Sequence, residues 1–139
     1  MGCKRHILVD TMGLILGAVV HAAHIQDRDG ARGLIRKVRF SVPRLRVIWA
    51  DAGYGGELVG WVATFADWTL EIVRRKVLHA FEVLPRRWVV ERTFGWLGRY
   101  RRLSKDYELR DNSSENMIYL AMINLMLHRL CPERKSAHR

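Results

Sequence analysis

The chain has 139 residues, 49% of them apolar, enough for one domain with a core and too many for a disordered segment. Lysine and arginine total 24 against 14 acidic residues, and the net charge of +10 points to an anionic partner; clustering of arginines within residues 86–102 puts nucleic acid ahead of an acidic membrane surface. Cys3 and Cys131 have no C-x-x-C spacing, which offers neither a disulfide framework nor a zinc site and suits a reducing cytoplasm, and no run approaches the ~20 apolar residues of a membrane span.

In chain order, residues 7–9 are apolar and 10–13 suit a turn. Residues 14–23 are apolar again, with β-branched Ile15, Val19 and Val20, so the segment predicts a β-hairpin. Lys4, Arg5 and His6 ahead of this stretch faintly resemble a signal peptide, but Asp10 interrupts it and the hairpin accounts for the same residues. Ala31, Leu34, Ile35 and Val38 follow at helical spacing, with Asp27 or Asp29 as N-cap and Pro43 closing the segment. Residues 45–50, apolar except for Arg46, end at Asp51 ahead of Ala52, Gly53, Tyr54, Gly55 and Gly56, which is the pattern of a buried strand entering a flexible loop. Leu58, Val59, Val62 and Phe65 mark a second helix, and residues 68–73 alternate like a strand. Pro85 is placed to open a third helix reaching Trp96 or Leu97. Asn112, Ser113 and Ser114 are N-cap candidates for the last helix, with Glu115 completing a capping box. That helix is apolar almost all round to about residue 130, which predicts burial on more than one side. The order is ββαβαβ and then helices, in a single α/β domain over residues 1–139.

Asp51 stands where open α/β sheets place their ligands, at the carboxyl end of a strand, although Asp-Ala-Gly is also ordinary turn chemistry. Glu91 lies in an otherwise basic and aromatic helix, PRRWVVERTFGWLGRYRR, on one stripe with Arg87, Gly95, Gly98 and Arg102. Each helix glycine costs about 1 kcal/mol relative to alanine, which room for a phosphodiester backbone would explain. Close helix packing at Gly95 and a helix end at Gly98, with Glu91 paired to Arg87, explain the same residues without chemistry. Carboxylates from a strand end and a helix can together hold Mg²⁺, and a two-ion site of that kind drives in-line phosphoryl transfer. Asp10, Asp27 and Asp29 are the weak candidates for a third carboxylate. His21 and His24 suit hydrogen-bonded or solvated histidines better than a metal site, no G-x-S-x-G elbow or phosphate loop is present, and Trp88, Trp96 and Tyr100 suit a core better than base stacking.

Four blocks resemble the DDE transposases of the insertion-sequence-five group, within the broad insertion-sequence-four-like superfamily. KRHILVDTMGLILGAVVHAAHIQDRDGA looks like the segment after the first catalytic strand, and IWADAGYGG looks like the strand and loop of the second aspartate. LPRRWVVERTFGWLGRYRRLSKDYE is similar to the glutamate helix, and SSENMIYLAMINLMLHRL to the closing helix.

The resemblance implies an α/β, RNase H-like fold, here incomplete, its mixed sheet lacking the first, central strand, with helices packed on it and a long C-terminal helix. It implies Asp51 and Glu91 as catalytic and metal-binding carboxylates, Mg²⁺ or Mn²⁺ as cofactor, and cleavage and strand transfer on double-stranded DNA at element ends and target. Arg86, Arg87, Arg92, Arg99, Arg101 and Arg102 are the expected DNA contacts. In the related Y-x-x-R-x-x-x-E-x-x-x-x-x-x-K signature Arg87 and Glu91 match, whereas Leu84 replaces the tyrosine and Gly98 the lysine, which shifts the terminal-phosphate contact to a neighbour such as Arg99. The first aspartate is expected upstream of Met1, and Asp10 does not correspond to it. The chain alone is therefore expected to be inactive, with an upstream-frame product or further copies of itself as protein partners. The competing expectation is a non-catalytic DNA-binding regulator of transposition.

Overall fold

A computed structural model describes residues 2–74, 87–104 and 110–131, with Arg87 described by its backbone alone. The hairpin forms as strand β1, Cys3–Val9, antiparallel to β2, Ile15–Ala22. β1 starts earlier than its apolar run because the charged residues there have partners. Lys4 Nζ donates to the Ile25 carbonyl and to Asp27, both at 3.0 Å, and Arg5 Nη1 donates to the Leu103 carbonyl at 2.7 Å. At the turn, Asp10 Oδ1 accepts the amides of Met12 and Leu14, each at 2.9 Å. Gly13 there has a φ of +83°, a conformation that favours glycine, and a Cβ on it would lie 2.8 Å from Thr93 Oγ1.

Helix α1, Asp27–Val38, carries Asp27 and Asp29 in its first turn and Arg36 and Lys37 in its last, matching the helix dipole at both ends. The aspartates are not N-caps as expected. Gln26 holds that position without a side-chain bond, because Asp27 is drawn to Lys4. The helix ends at Val38, well before Pro43. Strand β3, Val47–Ala50, then pairs in parallel with β4, Thr69–Ile72, through helix α2, Glu57–Ala66. Leu34, Ile35 and Val38 of α1 pack with Leu58 and Val62 of α2 and with Ile48 and Leu70 of the strands, which builds one core.

A second core lies across the hairpin, where Ala18 and Val20 of β2 meet Leu97, Leu103, Ile118 and Ala121. These come from helix α3, Arg87–Leu97, the short α4, Arg101–Ser104, and α5, Asp111–Leu130. Successive strand residues point to opposite faces, so His6, Leu8 and Val19 face α1 while Ile7, Ala18 and Val20 face α3 and α5. Burial on both faces accounts for the nearly continuous apolar run of β2.

The outer edge of β2 is closed by side chains. Tyr119 Oη accepts the Ala18 amide at 2.9 Å and Glu115 Oε1 the Val20 amide at 3.0 Å, while Lys37 Nζ donates to the Ala18 carbonyl at 3.0 Å and to Glu115 Oε2 at 2.6 Å. Burial pulls the Lys37 amine down, but its bond to Glu115 and the charges and contacts of Tyr119 and Glu115 together outweigh this and hold it above the usual lysine value. Glu115 therefore does not complete a capping box. The helix starts at Asp111 with Arg110 in the N-cap position, and the glutamate is used on the strand edge instead. Nor is α5 buried on more than one side, since Ser114, Ile118, Ala121 and Met122 face inward while Leu120, Ile123, Leu127 and Leu130 are exposed. Among the described residues, the strands form two separate two-stranded sheets, one antiparallel and one parallel.

Replacing Glu115 by alanine leaves the Val20 amide without its acceptor, so we expect a loss of roughly 1–3 kcal/mol in urea denaturation. Glu115→Gln, which keeps an oxygen for that amide, should lose less.

Candidate functional site

Asp51 follows β3 directly and is exposed. Its Oδ1 accepts the Gly53 amide at 3.0 Å and its carbonyl accepts the Tyr54 amide at 3.1 Å, which winds Ala52–Tyr54 into a single 3-10 turn. Gly56, with a φ of +84°, then swings the chain into α2. A Cβ on Gly53 would lie 3.2 Å from Asp51 Oδ1 and 3.4 Å from Asp27 Oδ2, so two carboxylates border this glycine. The hydrogen bond from Lys4 holds the Asp27 carboxyl below its ordinary range.

The turn is tied to the hairpin by Tyr54, whose hydroxyl lies 2.7 Å from Nδ1 of buried His6. Burial, and after it the negative charges of Asp27 and Asp51, push the Tyr54 hydroxyl up to about 12, so it keeps its proton at neutral pH. The His6 ring stacks on that of His21, centroids 4.6 Å apart, and His21 Nδ1 donates to the Ala22 carbonyl at 2.9 Å. Nε2 of each ring is buried with no hydrogen-bond partner among the described residues, and both face the α-carbon of Gly30, where any side chain would overlap them.

Glu91 is exposed on α3, and the residues after it fasten that helix to the turn of the hairpin. Thr93 Oγ1 donates to the Gly13 carbonyl at 2.7 Å and Arg92 Nη2 to the Met12 carbonyl at 2.8 Å. The Asp51 turn is thus tied to the α1 face of the hairpin at His6, and α3 to the turn of the hairpin at Met12 and Gly13. His6 and Asp10 are also separated by about 13 Å of strand, at ~3.3 Å per residue. Among the described residues, no group of three or more histidine, cysteine, aspartate or glutamate side chains is placed to hold a metal ion.

Of the arginines expected on DNA, Arg99, Arg101 and Arg102 are exposed at the corner between α3 and α4. Arg92 is committed to the fold, its guanidinium 4.4 Å from the Trp88 ring centre and 4.8 Å from that of Trp96, while Arg129 covers Trp96 at 4.5 Å. Arg86, the side chain of Arg87, and Leu84 lie outside the described residues. Nothing lies within 4 Å of a Cβ on Gly95, so packing does not require that glycine, whereas Gly98 does stand at the end of the helix. His6 and Tyr54 were not marked by sequence reasoning. Their bond spans 48 positions, and no local pattern signals it.

The profile of the family described as Transposase DDE domain matches residues 1–126. A protein of Burkholderia cepacia named as a transposase for insertion sequence element IS402 is 34% identical over 116 residues, which cover 78% of this chain and 55% of that protein. The chain therefore spans about half the length of this curated relative. No solved structure matches it.

Burial, with the neighbouring His21 second, lowers the pKa of His6 from its ordinary 6.5, against an opposing pull from Asp27; Lys4 adds to the lowering. A histidine depressed in the folded state binds its proton more readily when unfolded. Its contribution to stability is complete above pH 6.5 and is lost as the pH falls towards the folded value. The thermal midpoint should fall on acidification through this window, and the fall should be shallower in His6→Phe.

Proposed function

This chain belongs to the transposase DDE domain family, and on that premise we propose that it acts in DNA transposition, as part of the catalytic domain of an insertion-sequence transposase. The family match over residues 1–126, with Asp51 exposed at the carboxyl end of β3, carries the reading. The order of the sequence blocks supports the insertion-sequence-five group. Two two-stranded sheets, one antiparallel and one parallel, support an RNase H-like sheet completed by a further strand between β1 and β3. The substrate in this reading is double-stranded DNA, gripped through phosphates by Arg99, Arg101 and Arg102, and the net charge of +10 favours it.

In this reading Asp51 and Glu91 act as carboxylates only once they share a cleft. The exposed Arg99, Arg101 and Arg102 serve equally a second reading, a DNA-binding regulator without chemistry, and Glu91 distinguishes the two.

With three arginine-phosphate contacts, binding of the purified chain to element-end DNA should weaken roughly 40-fold for a fourfold rise in salt. Alanine at Arg99, Arg101 and Arg102 together should remove most of that dependence, and no cleavage should accompany binding in Mg²⁺. In a protein that also carries the part of its relative lying outside the matched 116 residues, Glu91→Gln should keep DNA affinity and lose cleavage by at least ~100-fold, the scale set by removing one electrostatic stabiliser. Undiminished cleavage would sink the enzyme reading, and salt-independent binding the DNA reading.

A further inference from the structure

We propose that His6 is a positioning residue for the Asp51 turn, its Nδ1 accepting the Tyr54 hydroxyl and so holding the turn against the hairpin. This rests on the reading of Asp51 as a functional carboxylate and adds to it a residue that touches neither DNA nor the carboxylate. Among the described residues, the other hydrogen bonds made within residues 51–56 are local. Asp51 Oδ1 holds Gly53 N, the Asp51 carbonyl holds Tyr54 N, and the Ala52 carbonyl holds Gly55 N. Such bonds shape the turn without setting its place on the molecule. The contact of Tyr54 with His6, at 2.7 Å, joins it to β1.

His6 is suited to this because its own ring is fixed. It is 4% exposed, stacked on His21 and pressed on the α-carbon of Gly30. The direction of the bond follows from its neighbours. His21 Nδ1 must carry its proton to donate to the Ala22 carbonyl, which leaves a lone pair on His21 Nε2. With the Tyr54 hydroxyl donating, the His6 proton lies on Nε2, and the two stacked rings are opposite tautomers. The reverse arrangement would leave two lone pairs buried side by side at Gly30. The residue also separates positioning from packing. Phenylalanine keeps the stacked ring and removes an unpartnered buried nitrogen, but offers Tyr54 no acceptor.

The test uses the full chain labelled with ¹⁵N, without DNA or metal. In the unsubstituted protein, the ring nitrogen shifts should show His6 protonated on Nε2 and His21 on Nδ1. A His6 protonated on Nδ1 would overturn the assignment. Amide exchange at Gly53, Tyr54 and Gly55 should speed up about tenfold in both His6→Phe and Tyr54→Phe, with no further gain in the double variant and with β2 and α1 exchanging as before. His6→Asn, whose amide oxygen can stand where Nδ1 stood, should return exchange towards the original rate. Unchanged exchange at the turn, acceleration spread over β2 and α1 as well, or failure of asparagine to restore protection would each overturn the proposal. Failure of the transposase reading has a different signature, undiminished cleavage by Asp51→Asn in the completed protein with the turn still ordered.

Discussion

The fold depends on β2 having no side left for water. One face packs on α1, the other on α3 and α5, and its outer edge is occupied by Tyr119, Glu115 and Lys37. A buried strand edge must satisfy its amides and carbonyls or lose the full cost of their desolvation, and here a tyrosine, a carboxylate and an amine from two helices supply what a third strand would. The Glu115 pair with Lys37 is half-exposed on the lysine side and adds little by charge alone. Its weight comes from the backbone groups that both side chains also satisfy. Because those side chains belong to α5 and α1, closing the edge also fixes both helices around the hairpin. Gly17 permits the close approach of α1, since a Cβ there would overlap Val38.

A hairpin buried on both faces gives each face its own core and its own attachments. The Asp51 turn hangs from the α1 face through Tyr54 and His6, and Glu91 rides a helix fastened to the turn of the hairpin by Thr93. Thr93, fully buried, holds α3 at the Gly13 turn, and His6 holds the Asp51 turn. A strand added beside β1 could alter the second of these contacts without disturbing the Glu115 edge on the far side of β2.

Much of the fold was legible in the sequence because local periodicity reports burial. The order ββαβαβ, the hairpin, the spacing of Leu34, Ile35 and Val38, and the strand ending at Asp51 all appear. The failures came where a side chain was taken by a distant partner. Glu115 fits a capping box by spacing, yet the Val20 amide claims it across 95 positions; Asp27 fits an N-cap, yet Lys4 claims it across 23. Lys4 and Arg5 do not look like strand residues until the Ile25 and Leu103 carbonyls are in view. At the candidate site, Asp51 was legible from its strand end and glycines. The His6 to Tyr54 contact was not, because nothing near either residue encodes it.

The charged side chains fall into local clusters. On the α1 face, Asp27 and Asp51 border Gly53, and their combined field contributes to raising the Tyr54 hydroxyl; Lys4 is the cation bonded to Asp27 there. Arg99, Arg101 and Arg102 stand exposed at the corner of α3 and α4, while Arg92 is held between Trp88 and Trp96. Exposed charges farther apart than about 8–10 Å at physiological salt scarcely offset one another, so each cluster acts on what lies close to it. Cations are not confined to the arginine corner: α1 carries Arg28, Arg32, Arg36 and Lys37, and Arg28 Nη1 lies 3.4 Å from where a Cβ on Gly56 would stand, so the Asp51 turn has positive charge beside it as well as the carboxylate of Asp27.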